Sequence, residues 1–176
     1  MNRDALAALA DPSKDQYFLT ATDKLQILIQ AADIRPSDAV VEIGAGAGTV
    51  ARSLPNSASL TLIELDEHLI DSLKQNVPGA TVLNVDGFEL LRSGALTCDV
   101  LLSNLPNTVT PSLVALLPRM KFRTAVLAMG STEPLDALSD QLSYAVLAVI
   151  EGDDFTPPQP SRSILVRVVR RAAEAL

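Results

Sequence analysis

The chain of 176 residues has one cysteine, Cys98, and one histidine, His68. A lone thiol excludes an internal disulfide framework, and the two residues together give no Cys/His cluster with metal-ligand spacing, so no metal is expected. No apolar run approaches the ~20 residues that cross a bilayer. The N-terminus, with Asp4, Asp11 and Asp15, lacks the basic-then-apolar order of a secretory leader. A cytoplasmic location without a membrane span is the expectation. Cations are also scarce: 14 Lys and Arg stand against 21 Asp and Glu, for a net charge of -7. That sign does not draw in phosphate backbones over long range, which counts against a large nucleic-acid footprint. The basic run 119–123 and the late residues Arg167, Arg170 and Arg171 read as ordinary solvated charge.

What is present is apolar material, 48% of the chain, enough for the core of one domain. Its distribution is informative at Val40-Val41-Glu42-Ile43-Gly44-Ala45-Gly46-Ala47-Gly48-Thr49. An apolar strand there ends on an acid and breaks into alternate glycines, which lets backbone approach a ligand. A helix expected over 49–54 would offer its N-terminus to polar or negative groups. A dinucleotide fingerprint needs its third glycine at position 49, which is Thr49, so the loop argues for a nucleotide-type cofactor other than NAD.

Short apolar runs alternate with helical patterns. Strands are expected at 39–43, 59–64, 80–85, 99–103 and 124–129, and helices at 49–54, 67–75, 112–117 and 135–141. A further helix over 23–32, capped by Thr22, precedes them and leaves 14–19 as a loop over the cofactor. Two runs at 143–150 and 163–169 have no helix between them and read as an antiparallel hairpin. The expected fold is α/β and Rossmann-like. A doubly wound, mostly parallel sheet ends in that C-terminal antiparallel hairpin, the class I methyltransferase arrangement, in a single domain. Residues 1–37 would form a helical cover and cofactor loop, and 38–176 the sheet core.

Ligands of such sheets bind outside the carboxyl ends of the strands. Four strands end there in polar groups: Glu42 with the glycine loop, Glu64, Asp86 before Gly87, and Ser103-Asn104-Leu105-Pro106-Asn107. Glu64 stands where an acid accepts hydrogen bonds from ribose hydroxyls. Asp86 suits the exocyclic amine of an adenine, with an apolar neighbour over the ring, and the set fits S-adenosylmethionine. An aryl amine has its lone pair delocalised into the ring and needs polarising more than deprotonating. The Asn104 carboxamide oxygen and the Leu105 carbonyl are two acceptors for its hydrogens, on a turn stiffened by Pro106. His68 has no partner for general-base work and is expected on the surface.

In this order the motifs resemble those of the KsgA-type rRNA adenine N6,N6-dimethyltransferases and their erythromycin-resistance relatives. Asp15-Gln16-Tyr17-Phe18-Leu19 resembles the family's G-Q-N-F-L segment, Val41 to Gly48 its E-I-G-x-G-x-G loop, and Ile63-Glu64-Leu65-Asp66 its E-x-D. Val85-Asp86 resembles its G-D step, Asn104-Leu105-Pro106 its N-L-P-Y, and 155–163 its F-x-P-rich stretch. The resemblance implies an S-adenosylmethionine-dependent N-methyltransferase. The cofactor would meet Gln16, Phe18, Glu42, Gly44, Ala45, Gly46, Gly48, Glu64, Leu65, Asp86, Gly87 and Asn104. Asn104, Leu105 and Pro106 would be catalytic, and Asn107 and Phe155 would meet the target adenine in rRNA. The chain departs from the pattern at Asn107, where the family has an aromatic residue, and at Asp15 and Tyr17, where it has Gly and Asn. Tyr17 or Phe18 is then a candidate replacement face. With about seven residues after the last expected strand, a catalytic domain without a C-terminal helical domain is expected. Two other readings stand beside this one: a methyltransferase for a small-molecule, lipid or protein amine, and a non-catalytic binding protein that keeps the cofactor fold.

Overall fold

A computed structural model describes residues 2–171; residue 1 and residues 172–176, part of the expected domain range, lie outside the described residues. In chain order the elements are α1 (Arg3–Leu9), β1 (Phe18–Leu19), α2 (Thr22–Ala32), β2 (Ala39–Ile43), β3 (Ser59–Glu64), α3 (Glu67–Asn76), β4 (Thr81–Asn84) and α4 (Gly87–Ser93). They continue with β5 (Val100–Ser103), α5 (Thr110–Leu116), β6 (Thr124–Met129), α6 (Glu133–Asp136), β7 (Leu142–Ile150), β8 (Phe155–Thr156) and β9 (Ser163–Arg170).

Seven strands form one sheet in the order β4-β3-β2-β5-β6-β9-β7. Strands β4 to β6 run parallel, and β9 inserts antiparallel between β6 and β7. The C-terminal hairpin is therefore as expected, with its second strand nearer the centre of the sheet. The winding reverses between β2 and β5, a switch point whose carboxyl end is where α/β sheets hold ligands. Both faces are covered, as the continuous apolar strands require. Val41, Ile43, Leu101 and Leu127 pack with Leu113 and Leu117 on one side, while Val40, Val100, Leu102 and Val126 pack with Leu28 and Ala32 on the other.

Four expectations about elements need correction. The helix over 49–54 is only a 3-10 turn at Ala51–Ser53, because Pro55 keeps Leu54 out of the helical region. The loop therefore offers no helix N-terminus. The helix over 135–141 shrinks to the single turn α6, since Leu142 already begins β7. Thr22 lies inside α2, whose N-cap is Ala21 with no side-chain cap bond. Segment 14–19 is not all loop: β1 pairs antiparallel with β8, matching Phe18 to Thr156 and Leu19 to Phe155. Two helices went unforeseen. Asn2 caps α1 through the Ala5 N–H at 2.8 Å, and Asp86 caps α4 through the Phe88 N–H at 2.8 Å.

Candidate functional site

A cavity of about 660 Å³ opens at the carboxyl ends of β2, β3, β4 and β5. That lies within the range of ~300–1,000 Å³ typical of small-molecule sites. Of the residues expected at a cofactor, Gln16, Phe18, Glu42, Gly44, Ala45, Gly46, Glu64, Leu65, Asp86, Gly87 and Asn104 all line it, as do Leu105 and Pro106.

The glycine loop forms its floor with positive φ at Gly44 (74°) and Gly46 (56°). A Cβ at Gly44 would lie 2.5 Å from Leu105 Cδ2, and one at Gly46 would lie 2.9 Å from the Phe18 ring. Both absent side chains let the N-L-P turn and the cover segment close on the loop. Gly48 is different. It does not line the cavity, and its missing Cβ makes room for Val77 and Leu73 of the α3 region at 2.8 and 3.0 Å. The expectation of cofactor contact at Gly48 is corrected to one of packing.

Glu64 is buried and accepts from the Gly46 N–H at 2.7 Å and from the Asp66 N–H at 2.8 Å. Asn84 supports the same corner by donating to the carbonyls of Glu64 and Leu65 at 2.9 and 3.1 Å. Leu65 stands 70% exposed on the cavity rim, an apolar surface available to a ring. Asp66 caps α3 and holds Lys14 at 2.8 Å, Gln16 at 2.6 Å and the exposed His68 at 3.0 Å. The Lys14 and Gln16 hydrogen bonds, with those from His68, keep the Asp66 carboxyl well below the usual carboxylate range. Gln16 also accepts from the Asp11 N–H at 3.0 Å. Its side chain thus ties the N-terminal cover to the mouth of the cavity.

Asn104 follows β5, and its amide donates to the Tyr17 carbonyl at 3.4 Å. The Leu105 carbonyl accepts from Thr110 Oγ1 at 3.4 Å. Glu42, the penultimate residue of β2, is 2% exposed, and burial together with the charge of Glu64 pushes its carboxyl up to about 8. Cys98 is buried away from the cavity, and its thiol is pushed up to about 12 by burial, so it is inert.

Two substrate-side expectations do not hold in place. Phe155 is 2% exposed and packs in the second core cluster with Leu19 and Leu25, leaving no face for a base. Asn107 lies outside the cavity. Its carboxamide donates to the Arg162 carbonyl at 3.3 Å and accepts from Ser163 Oγ at 3.2 Å, fastening the chain that leads into β9. Tyr17 also lines the cavity, and its backbone carbonyl is the group that holds the Asn104 amide. Asn84 was missed as a cavity residue, Lys14 was expected only as part of the loop over the cofactor, and Asp66 only as part of a motif. Asp66 was signalled by its place in the E-x-D motif, whereas the pairing of Lys14 with it and the place of Asn84 had no signal, since their partners are set by tertiary contact.

Among the described residues no helix is long and apolar enough to cross a membrane, and no group of His, Cys, Asp and Glu is arranged to hold a metal.

The geometry has counterparts. The chain is 27% identical over 180 residues to the probable ribosomal RNA small subunit methyltransferase A of Methanosphaera stadtmanae, covering 90% of this chain and 65% of that protein. It is 28% identical over 177 residues to the mitochondrial ribosomal RNA small subunit methyltransferase of Arabidopsis thaliana, covering 89% of this chain and 47% of that one. The chain thus spans about half to two thirds of the length of these relatives. Among solved structures, the Plasmodium falciparum dimethyladenosine transferase superposes with a TM-score of 0.76 at 21% identity, over 88% of this chain and 63% of that one. The 23S rRNA methyltransferase ErmE does so with a TM-score of 0.75 at 20% identity, over 90% and 72%. At these identities they establish the shared fold, a class I methyltransferase fold. The model of the ribosomal RNA adenine dimethylase family matches residues 10–129, which include the cover segment, the glycine loop, both strand-end acids and the Asn104 turn, and the chain belongs to that family.

Proposed function

We propose that this chain is the methyl-transfer domain of an S-adenosylmethionine-dependent methyltransferase that modifies the N6 amine of adenine in ribosomal RNA, inside the cell. The observation that carries the reading is the meeting of Asn104-Leu105-Pro106 with Glu64 and Asp86 around one cavity. Two features fit the cofactor: the cradle at Gly44 and Gly46 that a Cβ would fill, and the buried Glu42 Oε2 that has no partner among the described residues. When bound, S-adenosylmethionine supplies an electrophilic methyl on a sulfonium. Glu64 and Asp86 would hold the nucleoside end, with Leu65 against its ring. Asn104 Oδ1 and the Leu105 carbonyl would accept the hydrogens of the target amine and direct its lone pair, and Tyr17 would offer the ring for the target base. Glu42, Gln16 and Phe18 would shape the pocket around the donor.

The test is incubation with methyl-labelled S-adenosylmethionine and an adenine-bearing small-subunit rRNA fragment, followed by nucleoside analysis for label on N6. Asn104→Ala is expected to lower turnover by ~100-fold or more, the scale of losing a dipole aimed at developing charge. Its cofactor affinity should change little. An unchanged rate in that variant would remove the mechanism. The observation favouring a different amine as acceptor is the occupation of both expected aromatic positions, Phe155 by burial and Asn107 by a polar clasp. Label found only on non-nucleic amines would select that reading.

A further inference from the structure

Glu42 is buried to 2% exposure, lines the cavity, and has its Oε2 without a hydrogen-bond partner among the described residues. Strand register pairs Glu42 with Leu62 on one side and Leu102 on the other. Glu64 lies two positions beyond Leu62 in β3, so Glu42 and Glu64 share one face of the sheet, and Asn104 follows the end of β5 two positions beyond Leu102. Glu42 is thus placed one step deeper than the two residues expected to meet donor and acceptor. Glu64 has both oxygens engaged by backbone N–H groups, whereas Glu42 has an oxygen to spare. Burying an ionised carboxylate without a counter-charge is costly, and the neighbouring Glu64 adds to that cost.

We propose that Glu42 reads the charge of the methyl donor: it holds its proton in the ligand-free protein and gives that proton to solvent when a cationic donor binds. The carboxylate left behind then faces the donor's positive charge. The site therefore favours the sulfonium donor over its demethylated product, whose sulfur is neutral. This rests on the cofactor reading above and extends it to how spent product is discriminated. Glu64 is the neighbouring charge that acts on Glu42 directly. Asp66, Glu67 and His68 face the cavity from the start of α3, and Asp86 from the cap of α4. Lys14, Asp15 and Tyr17 face it from the cover segment. Lys14, the cation among them, is paired with Asp66 at 2.8 Å, and β5 contributes the uncharged Asn104.

Calorimetric titration of the whole chain at pH 7 with S-adenosylmethionine and with S-adenosylhomocysteine, each in two buffers of different ionisation enthalpy, counts the protons released. Both ligands carry the same amino-acid end, whose ammonium is largely protonated in each at pH 7, so the difference at that pH reports chiefly the sulfonium. The donor is expected to release ~0.5–0.9 more protons than the product at pH 7. Glu42→Gln should abolish the difference and lower the donor-over-product preference roughly tenfold at pH 7, the equivalent of a pKa change of about two units on binding for a group that starts mostly protonated. Equal proton counts for the two ligands in the unmutated protein, a comparison that needs no variant, overturn the proposal. So does a difference that survives in Glu42→Gln. If neither ligand binds, the cofactor reading fails and this inference falls with it; binding with equal counts sinks this inference alone.

Discussion

At the scale of single residues, burial decides roles that residue type alone suggests differently. Glu42 in the folded chain is pushed up to about 8 from an ordinary value of 4.5. Folding therefore takes up a proton between about pH 5 and 8, and the stability tied to that proton is lost as pH rises through this window. The slope is up to ~1.4 kcal/mol per pH unit. Urea unfolding at pH 5, 6.5 and 8 is expected to show stability falling with pH more steeply in the parent than in Glu42→Gln; parallel profiles would mean that burial leaves Glu42 unshifted. Phe155 supplies the converse case. Its ring is core, so Phe155→Leu, which refills most of the volume, should keep methyl transfer within about threefold. A stacking role would be worth ~1–3 kcal/mol per base, a loss of at least fivefold. Measured turnover of the correctly folded variant separates the two roles.

At the scale of elements, β2 and β3 were legible to the residue because each combines a local apolar run with a sharp polar end at Glu42 or Glu64. The same locality misled beyond Gly48, where a helical pattern cannot propagate into Pro55. What was not legible depends on distant partners. β1 exists only because β8 pairs with it, and Thr20 and Ala21 add N–H bonds to the Asp154 carbonyl at 2.9 and 3.0 Å. Phe155 was read as a site residue from the resemblance of its stretch to the family's, and its burial against Leu19 is invisible from its own neighbours. The cover is thus fastened at one end by β8 and at the other by Gln16 and Lys14 on Asp66. A hydrogen bond to a charged group contributes about 1.5 kcal/mol or more when sheltered, and less at a half-exposed site. Gln16→Ala is therefore expected to lower S-adenosylmethionine affinity roughly fivefold and to speed amide exchange over 11–18. The urea midpoint should hardly move. A global loss of stability with unchanged exchange in that segment would place Gln16 in the fold rather than in a closing cover.

At the scale of the whole molecule, the charge of -7 acquires a structural reading once the cations are located. Arg123 is bound to Asp38 at 2.6 Å and to the Asp33 carbonyl at 2.8 Å, which ties the end of α2 to the approach of β6. Arg170 donates to the Pro118 carbonyl at 3.0 Å, Arg167 to that of Ala31 at 3.1 Å and Arg171 to that of Leu142 at 3.3 Å. Arg123, Arg167, Arg170 and Arg171, expected as ordinary solvated charge, are thus fastenings between elements, at some distance in the chain from the strand ends that form the cavity. An RNA acceptor would reach this domain mainly through the pocket and few phosphate contacts. Each phosphate neutralised on a single strand contributes a slope of about -0.7 to the dependence of log affinity on log salt. One or two contacts give about -0.7 to -1.4 for this chain, measured as RNA-fragment binding between 50 and 200 mM salt at saturating cofactor. A slope steeper than about -3 would reveal a phosphate-binding surface built from cations other than these four.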